Sequence, residues 1–158
     1  MARIKFLSVM TMTLFIAACT FPLPRAQDTS TPASAQPVEL GDTWTIKMTQ
    51  SGGIMGLRRS VEISSDGKYT VMDERTNKSV SGVLPTNELT TLTRTVSALR
   101  MDLQTPEQSV CADCFIYEIE IQSNDETISL QLDDITLPDS GMEPLISSLI
   151  TIMNTALK

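Results

Sequence analysis

Two cysteines lie close together in the second half of the chain and are the first candidates for chemistry. Cys111 and Cys114 have the Cys-x-x-Cys spacing found in disulfides, in redox pairs and in half of a zinc site. Outside the cytosol, where an export signal described below would direct the chain, a disulfide is favoured. The spacing therefore predicts a small structural disulfide, with free thiols and a redox pair as alternatives. The pair precedes a predicted strand, unlike the thioredoxin-like arrangement of a strand leading into a helix.

Carboxylates are the other groups that could react, because the chain contains no histidine. Without histidine the commonest general base is missing, and no Ser-His-Asp or Cys-His arrangement can form. The candidate acid pairs are Glu118 with Glu120 and Asp133 with Asp134, for which we favour a solvated sheet face. Calcium at the aspartates would lack the regular oxygen spacing of a dedicated loop. We therefore expect no enzyme activity, no metal and no cofactor.

The most unusual stretch is SGGIMGLRR, residues 51–59. It is not a phosphate-binding loop, because the Gly-Lys-Ser/Thr ending is absent and no helix follows. Its glycines allow positive φ angles or close approach to another surface. Ile54, Met55 and Leu57 are apolar residues in a predicted loop, so they either fold back onto the core or bind a partner's cleft. The residues alone favour closure of the core.

The first 18 residues have the pattern of an export signal. Arg3 and Lys5 precede an apolar stretch of about a dozen residues, which is shorter than the roughly 20 needed to span a bilayer. The stretch ends in Ile-Ala-Ala-Cys, which resembles the bacterial lipobox. That resemblance implies cleavage before Cys19 and a lipid on its thiol. We expect a protein anchored through this lipid to the cell membrane or outer membrane, with its domain on the extracytoplasmic side.

The remaining chain divides into a tether and one folded domain. Residues 19–40 contain four prolines among Ser, Thr, Ala and Gln, a composition typical of a disordered spacer. Residues 41–158 are long enough for one domain. The formal net charge of −7 disfavours nucleic acid as a partner, because a polyanion would be repelled.

Apolar alternation and turn signals predict six strands and two helices in the domain. Ser65-Asp66-Gly67-Lys68 carries the Asp-Gly signal of a tight hairpin. A helix is predicted over residues 87–101 with Thr86 as its N-cap, and a second helix starts at a capping box formed by Ser140 and Glu143. The predicted strands cover approximately residues 44–49, 59–64, 69–73, 79–84, 115–122 and 128–132, with a polar connection at 102–113.

This order, β-β-β-β-α-β-β-α, predicts an α+β fold in which two helices pack on one face of an antiparallel sheet. The segment at 51–59 also resembles the signature of the emfourin family, small protein inhibitors of protealysin and other thermolysin-like metalloproteases. Weaker matches follow in order along the domain. They are Leu84-Pro85, Glu88-Leu89, Ala112-Asp113-x-Phe115-x-Tyr117, Asp133-Asp134, Leu137-Pro138 and Pro144-Leu145-Ile146.

The resemblance implies a protein that blocks the cleft of a thermolysin-like metalloprotease without being a metalloenzyme. The segment that would bind this partner comprises Gly52, Gly53, Ile54, Met55, Gly56, Leu57, Arg58 and Arg59. The lipid anchor and the cysteine pair depart from the family pattern, and a membrane-held inhibitor would guard the cell surface against secreted proteases. The alternative is a non-catalytic envelope lipoprotein that acts as a protein-binding or structural module.

Overall fold

The computed structural model of the chain describes residues 36–101 and 111–158. The export signal at 1–18, the lipid site at Cys19, the tether as far as residue 35 and the connection at 102–110 lie outside these ranges. What the sequence predicts there stays a prediction. Within the described ranges, every helix is too short or too polar to cross a membrane.

The described residues form eight strands and two helices. Both helices and most strands begin and end within a few residues of their predicted positions. In chain order they are β1 (Gln36–Pro37), β2 (Trp44–Gly52), β3 (Leu57–Ser64), β4 (Lys68–Asp73), β5 (Lys78–Val83), α1 (Thr86–Ser97), β6 (Arg100–Met101), β7 (Phe115–Ser123), β8 (Glu126–Asp133) and α2 (Glu143–Ala156).

Six strands make one antiparallel sheet in the spatial order β5-β4-β3-β2-β7-β8, which confirms the predicted α+β class. The two shortest strands, β1 and β6, pair separately and were not predicted. Alternation along the chain gives the order of strands but not their neighbours. β7 joins the sheet beside β2, from Trp44 opposite Ser123 to Gly52 opposite Phe115.

The core lies on the face of the sheet that the helices cover. In β7, Tyr117, Ile119 and Ile121 are buried, whereas Glu118 and Glu120 point to solvent. This is the alternation expected of a sheet with one wet face. Each large apolar side chain that is fully buried contributes about 1.5–3 kcal/mol. The helices supply Leu92, Val96, Leu145, Ile146, Leu149 and Met153 to the same core.

Both predicted helix caps are wrong. α1 begins at Thr86 itself, and the carbonyl of Pro85 accepts the first backbone hydrogen bonds, so the threonine is inside the helix. Ser140 does not cap α2: its hydroxyl donates to the carbonyl of Leu137 (2.6 Å) and accepts from the amide of Met142 (3.0 Å). It therefore closes a turn before the helix. Neither helix has a side-chain cap.

Residues 36–41, which we call the strap, pack against the domain. Val38 is buried and its amide donates to the carbonyl of Leu99 (3.2 Å). The amide of Gly41 donates to the hydroxyl of Ser123 (2.7 Å). The sequence assigned residues 36–40 to the disordered tether, so the folded part starts earlier than predicted. Val38 and Leu40 explain the difference, because two apolar residues after a proline are too few to give a periodic signal.

The strands define two ends of the sheet. The tip end carries the turns at 53–56 and 74–77, the cysteine segment 111–114 and the loop 134–139. The base end carries the turns at 65–67 and 124–125, and the strap is attached there through Ser123.

Candidate functional site

The hairpin between β2 and β3 displays two apolar side chains to solvent. The strands extend further than predicted, so the loop shrinks to residues 53–56, closed by a hydrogen bond from the amide of Gly56 to the carbonyl of Gly53 (2.9 Å). Ile54 is 89% exposed and Met55 is 68% exposed. The expectation that these residues close the core is therefore wrong for both, whereas Leu57 is half-buried.

The hairpin rests on the cysteine segment. The structure joins Cys111 and Cys114 by a disulfide, and the carbonyl of Cys114 accepts a hydrogen bond from the amide of Gly53 (3.1 Å). Gly52 has φ +98°, and a Cβ there would overlap the carbonyl oxygen of Cys114. Only glycine fits this position, because both the backbone angle and the space exclude a side chain.

The two arginines of the segment point in different directions. Arg58 is exposed and forms a salt bridge with Glu74 (2.9 Å). Arg59 lies on the core side, where its guanidinium donates to Gln50 Oε1 (3.0 Å) and to Asn154 Oδ1 (3.0 Å). Two neutral side chains therefore already bind the Arg59 guanidinium, whereas Arg58 is held only at the surface.

Arg59 also helps to fix the C-terminal end of α2. The last turn of this helix contains no basic residue. Instead, Arg59 reaches it through Asn154, and Lys78 Nζ donates to the carbonyl of Leu157 (2.7 Å). Positive charge near the C-terminus of a helix stabilises it by interaction with the helix dipole. Strands β3 and β5 thus supply the cations that the helix itself lacks.

Asp134 fastens the start of β7. Its carboxylate accepts hydrogen bonds from the amide of Phe115 (2.8 Å) and from the hydroxyl of Tyr117 (2.9 Å). Burial of the phenol, reinforced by the negative charge of Asp134, raises the pKa of Tyr117 to about 12. Since Phe115 follows Cys114 directly, these bonds stabilise the segment that supports the hairpin.

The neighbouring loop carries a third exposed apolar side chain, Ile135, which is 58% exposed. Asp133 Oδ1 accepts hydrogen bonds from the amides of Ile135 (3.0 Å) and Thr136 (2.8 Å). Asp133 is only 9% exposed, so the interpretation of a solvated acid pair is wrong for this residue. Glu118 and Glu120 do lie on the exposed face.

The tip end therefore presents apolar groups on a hydrogen-bonded frame. A frame of this kind is suited to protein recognition, because side chains held in place before binding lose less conformational entropy when they bind. Among residues 36–101 and 111–158, no group of three or more metal-ligating side chains is close enough to hold an ion.

Four residues that build this frame were not singled out by sequence reasoning in these roles: Gln50, Tyr117, Asp134 and Asn154. The alternation of β2 places residue 50 on the buried face, so Gln50 had a local signal as a buried polar group. The Arg59–Asn154 bond spans 95 positions, and no local pattern encodes such a contact.

Comparison of the chain with models of known protein families finds no match, and comparison with curated proteins finds none either.

Proposed function

We propose that this protein is a non-catalytic lipoprotein, anchored through Cys19 on the extracytoplasmic side of a membrane, whose domain inhibits thermolysin-like metalloproteases. The observation that carries the proposal is the display of Ile54 and Met55 on the hairpin at the tip end. The resemblance of residues 51–59 to emfourins supplies the class of partner. Thermolysin-like clefts favour bulky apolar groups, and the hairpin offers two of them.

The energy of such a complex would come from burying the hairpin. Transferring Ile54 and Met55 out of water would contribute about 1.5–3 kcal/mol each. Association costs several kcal/mol in lost translational and rotational freedom, so the hairpin needs its rigid support. That support comes from the bond between Gly53 and Cys114 and from the carboxylate of Asp134.

The strap favours an outward-facing hairpin. It fastens the N-terminal side of the domain to the base end through Ser123. β2 then runs nine residues from Trp44 to the hairpin, a distance of about 30 Å at roughly 3.3 Å per residue. With a lipid on Cys19, the tether would reach β2 through the strap, at the end of that strand opposite the hairpin, so the hairpin itself would not be the point of attachment.

Inhibition is tested with the full-length protein purified in detergent, thermolysin and a peptide substrate. We expect inhibition at near-stoichiometric concentration. The double variant Ile54→Asp/Met55→Asp should inhibit at least about tenfold more weakly, because a charge in an apolar cleft is costly. Met72→Asp is the matched control, since Met72 is 41% exposed but lies on the open sheet face.

Absence of inhibition at concentrations on the order of tens of micromolar would contradict the proposal. Retrieval of a non-protease envelope protein that depends on the same hairpin would then favour a protein-binding module. The anchor is tested separately: radiolabelled fatty acid should be incorporated into the exported protein and be lost in Cys19→Ser. Incorporation that persists in this variant would contradict lipidation at Cys19.

A further inference from the structure

Between Thr127 and Gln131, the described residues give the outer strand β8 little of the usual protection of a sheet edge. Its eight residues pair with β7 without a bulge, from Ser123 opposite Glu126 to Ile116 opposite Asp133. The strand contains no proline and no lysine. Natural sheets usually protect an exposed edge with such residues, or with bulges, because unpaired backbone groups there accept another strand. An edge this regular is a potential pairing site.

The turn between β7 and β8 determines which backbone groups of β8 point outward. Only Asn124 and Asp125 separate Ser123 from Glu126. In a two-residue hairpin the flanking residues exchange hydrogen bonds, and outward-pointing residues alternate from the next one along. The amides and carbonyls of Thr127, Ser129, Gln131 and Asp133 therefore point away from β7.

Asp133, the last of these residues, is covered by the following loop, whereas no described residue covers Thr127, Ser129 or Gln131. The amide of Asp133 donates to Thr136 Oγ1 (2.9 Å), and its carbonyl accepts from the amide of Leu137 (2.9 Å). Both hydrogen bonds confirm that the backbone groups of Asp133 point away from β7. Thr127, Ser129 and Gln131 have no strand beside them within the described ranges, and their side chains are exposed. Buried backbone groups are almost always paired. The outward amides and carbonyls of residues 127–131 therefore have to remain hydrated or pair with another chain.

We propose that β8 binds an extended peptide segment of another protein as a seventh strand, and that this segment alternates apolar and basic residues. On the helix side, Ile128 and Leu130 are only partly buried, and apolar residues of the added strand would cover them. On the open side, Ser129 and Gln131 line a groove of about 440 Å³ with Glu118 and Glu120.

The groove is lined by two glutamates and one lysine, Lys47, so its net negative charge favours a basic occupant. Glu120 lies opposite Ser129 in the register of β7 and β8. The short side chain of Ser129 leaves room for a lysine or arginine from a seventh strand to reach over it to Glu120. The net charge of −7 attracts a basic segment as well.

A second copy of this chain is a poor occupant. Antiparallel pairing of β8 with itself has to match outward-pointing residues, for example Thr127 with Gln131. It would bring no basic residue to the glutamates of the groove, because β8 contains none. Two molecules of charge −7 would also repel each other.

Hydrogen exchange of the full-length chain, with a synthetic peptide of three alternating lysine–valine pairs as the probe, tests the proposal. We expect exchange to slow about tenfold at the amides of Thr127, Ser129 and Gln131 and to stay unchanged in β5, the opposite edge. A matched peptide of glutamate–valine pairs should give no protection. Protection that increases with protein concentration without peptide would overturn the proposal in favour of self-pairing, and equal protection by both peptides would overturn the charge argument.

Three variants separate edge pairing from nonspecific charge attraction. Ser129→Pro removes one outward amide at a position where an edge strand tolerates proline, and it should abolish protection. Glu120→Gln should weaken binding of the lysine peptide about three- to fivefold, because it removes one charge pair. Glu62→Gln is the control, since Glu62 and Glu120 flank Lys47 on opposite sides and only Glu120 is beside β8. Equal weakening by both glutamine variants would contradict the proposal, even if the proline variant failed to fold.

Discussion

The two turns at the ends of β3 differ in how they are stabilised and in what they expose. At the base end, Asp66 accepts hydrogen bonds from the hydroxyl of Ser64 (2.7 Å) and the amide of Lys68 (3.1 Å), and its side chain pairs with the Lys68 ammonium (2.6 Å). The polar side chains of that turn therefore bind one another. At the tip end, the turn carries Ile54 and Met55, whose side chains are among the most exposed apolar groups described.

The difference shows what each turn requires from the rest of the molecule. The side chains of the base turn contact residues within four positions of one another, and its backbone is also hydrogen-bonded to Trp44 and Leu84. The hairpin at the tip end depends on distant support, since its backbone is hydrogen-bonded to Cys114 some 60 positions away. Apolar residues at its apex do not contribute to the core. A binding hairpin needs this arrangement, in which distant residues support the backbone and the side chains at the apex stay exposed. Four predictions test it.

The largest effect is expected where the hairpin meets the cysteine segment. Gly52→Ala should destabilise the protein by about 3 kcal/mol, because the new methyl group would overlap the carbonyl of Cys114 at a positive φ. Gly56→Ala is the control: its φ is +58° and no atom lies within 4 Å of the added Cβ, so about 1 kcal/mol is expected. Denaturant unfolding measures both, and equal losses would mean that the contact with Cys114 does not constrain the hairpin.

The second largest effect is expected from replacing the adjacent arginines, which should differ in how much stability they contribute. Arg59→Met should cost about 2 kcal/mol, because buried Gln50 and the end of α2 each lose a charged hydrogen-bond donor. Arg58→Met should change stability by less than about 0.5 kcal/mol, since its salt bridge with Glu74 is exposed. Thermal unfolding of the two variants provides the comparison. A larger loss from Arg58→Met would reverse the assignment of Arg59 as the supporting residue.

Ionisation of Tyr117, at the tip end, makes the stability of the folded protein depend on pH. Its pKa is raised from 10.0 to about 12, so the folded state favours the protonated phenol. The stability that this provides is complete below pH 10 and is lost as the pH rises towards 12. Tyr117→Phe should cost about 1 kcal/mol at pH 8 through the lost bond to Asp134, and its stability should fall less steeply above pH 10. Tyrosinate absorbance that shows Tyr117 titrating near pH 10 would contradict this account.

The smallest effect is expected at the base turn. The hydrogen bond from the Lys68 ammonium, followed by that from Ser64, holds the pKa of Asp66 well below its usual value of 3.8. A lowered pKa contributes stability above pH 3.8, and this is lost as the pH falls below that value. Asp66→Asn should therefore lower the melting temperature slightly at pH 5 and flatten its decline towards pH 2. The effect is small because both side chains of the pair are exposed. Parallel melting curves for the two proteins would refute it.

Local patterns predicted the local parts of this molecule. The alternation of residues 115–122 and the Asp-Gly turn at 66–67 gave strands and a hairpin that the structure confirms. The caps at Thr86 and Ser140 were predicted wrongly, because α1 already begins at Thr86 and the hydroxyl of Ser140 bonds within a preceding turn. The exposure of Ile54 was not predictable, because only the packed structure shows that the core closes without it. The Arg59–Asn154 bond depends on the path of the whole chain.

The central position of β2 has a mechanical consequence. This strand lies between β3 and β7, with the strap preceding one of its ends and the hairpin following the other. If a partner held the hairpin while a lipid held the N-terminal side, tension would act along the length of β2. The hydrogen bonds to both neighbouring strands would then be loaded in shear, so that they would have to break together rather than one after another. We expect the lifetime of the domain under such a pull to be set by this concerted rupture.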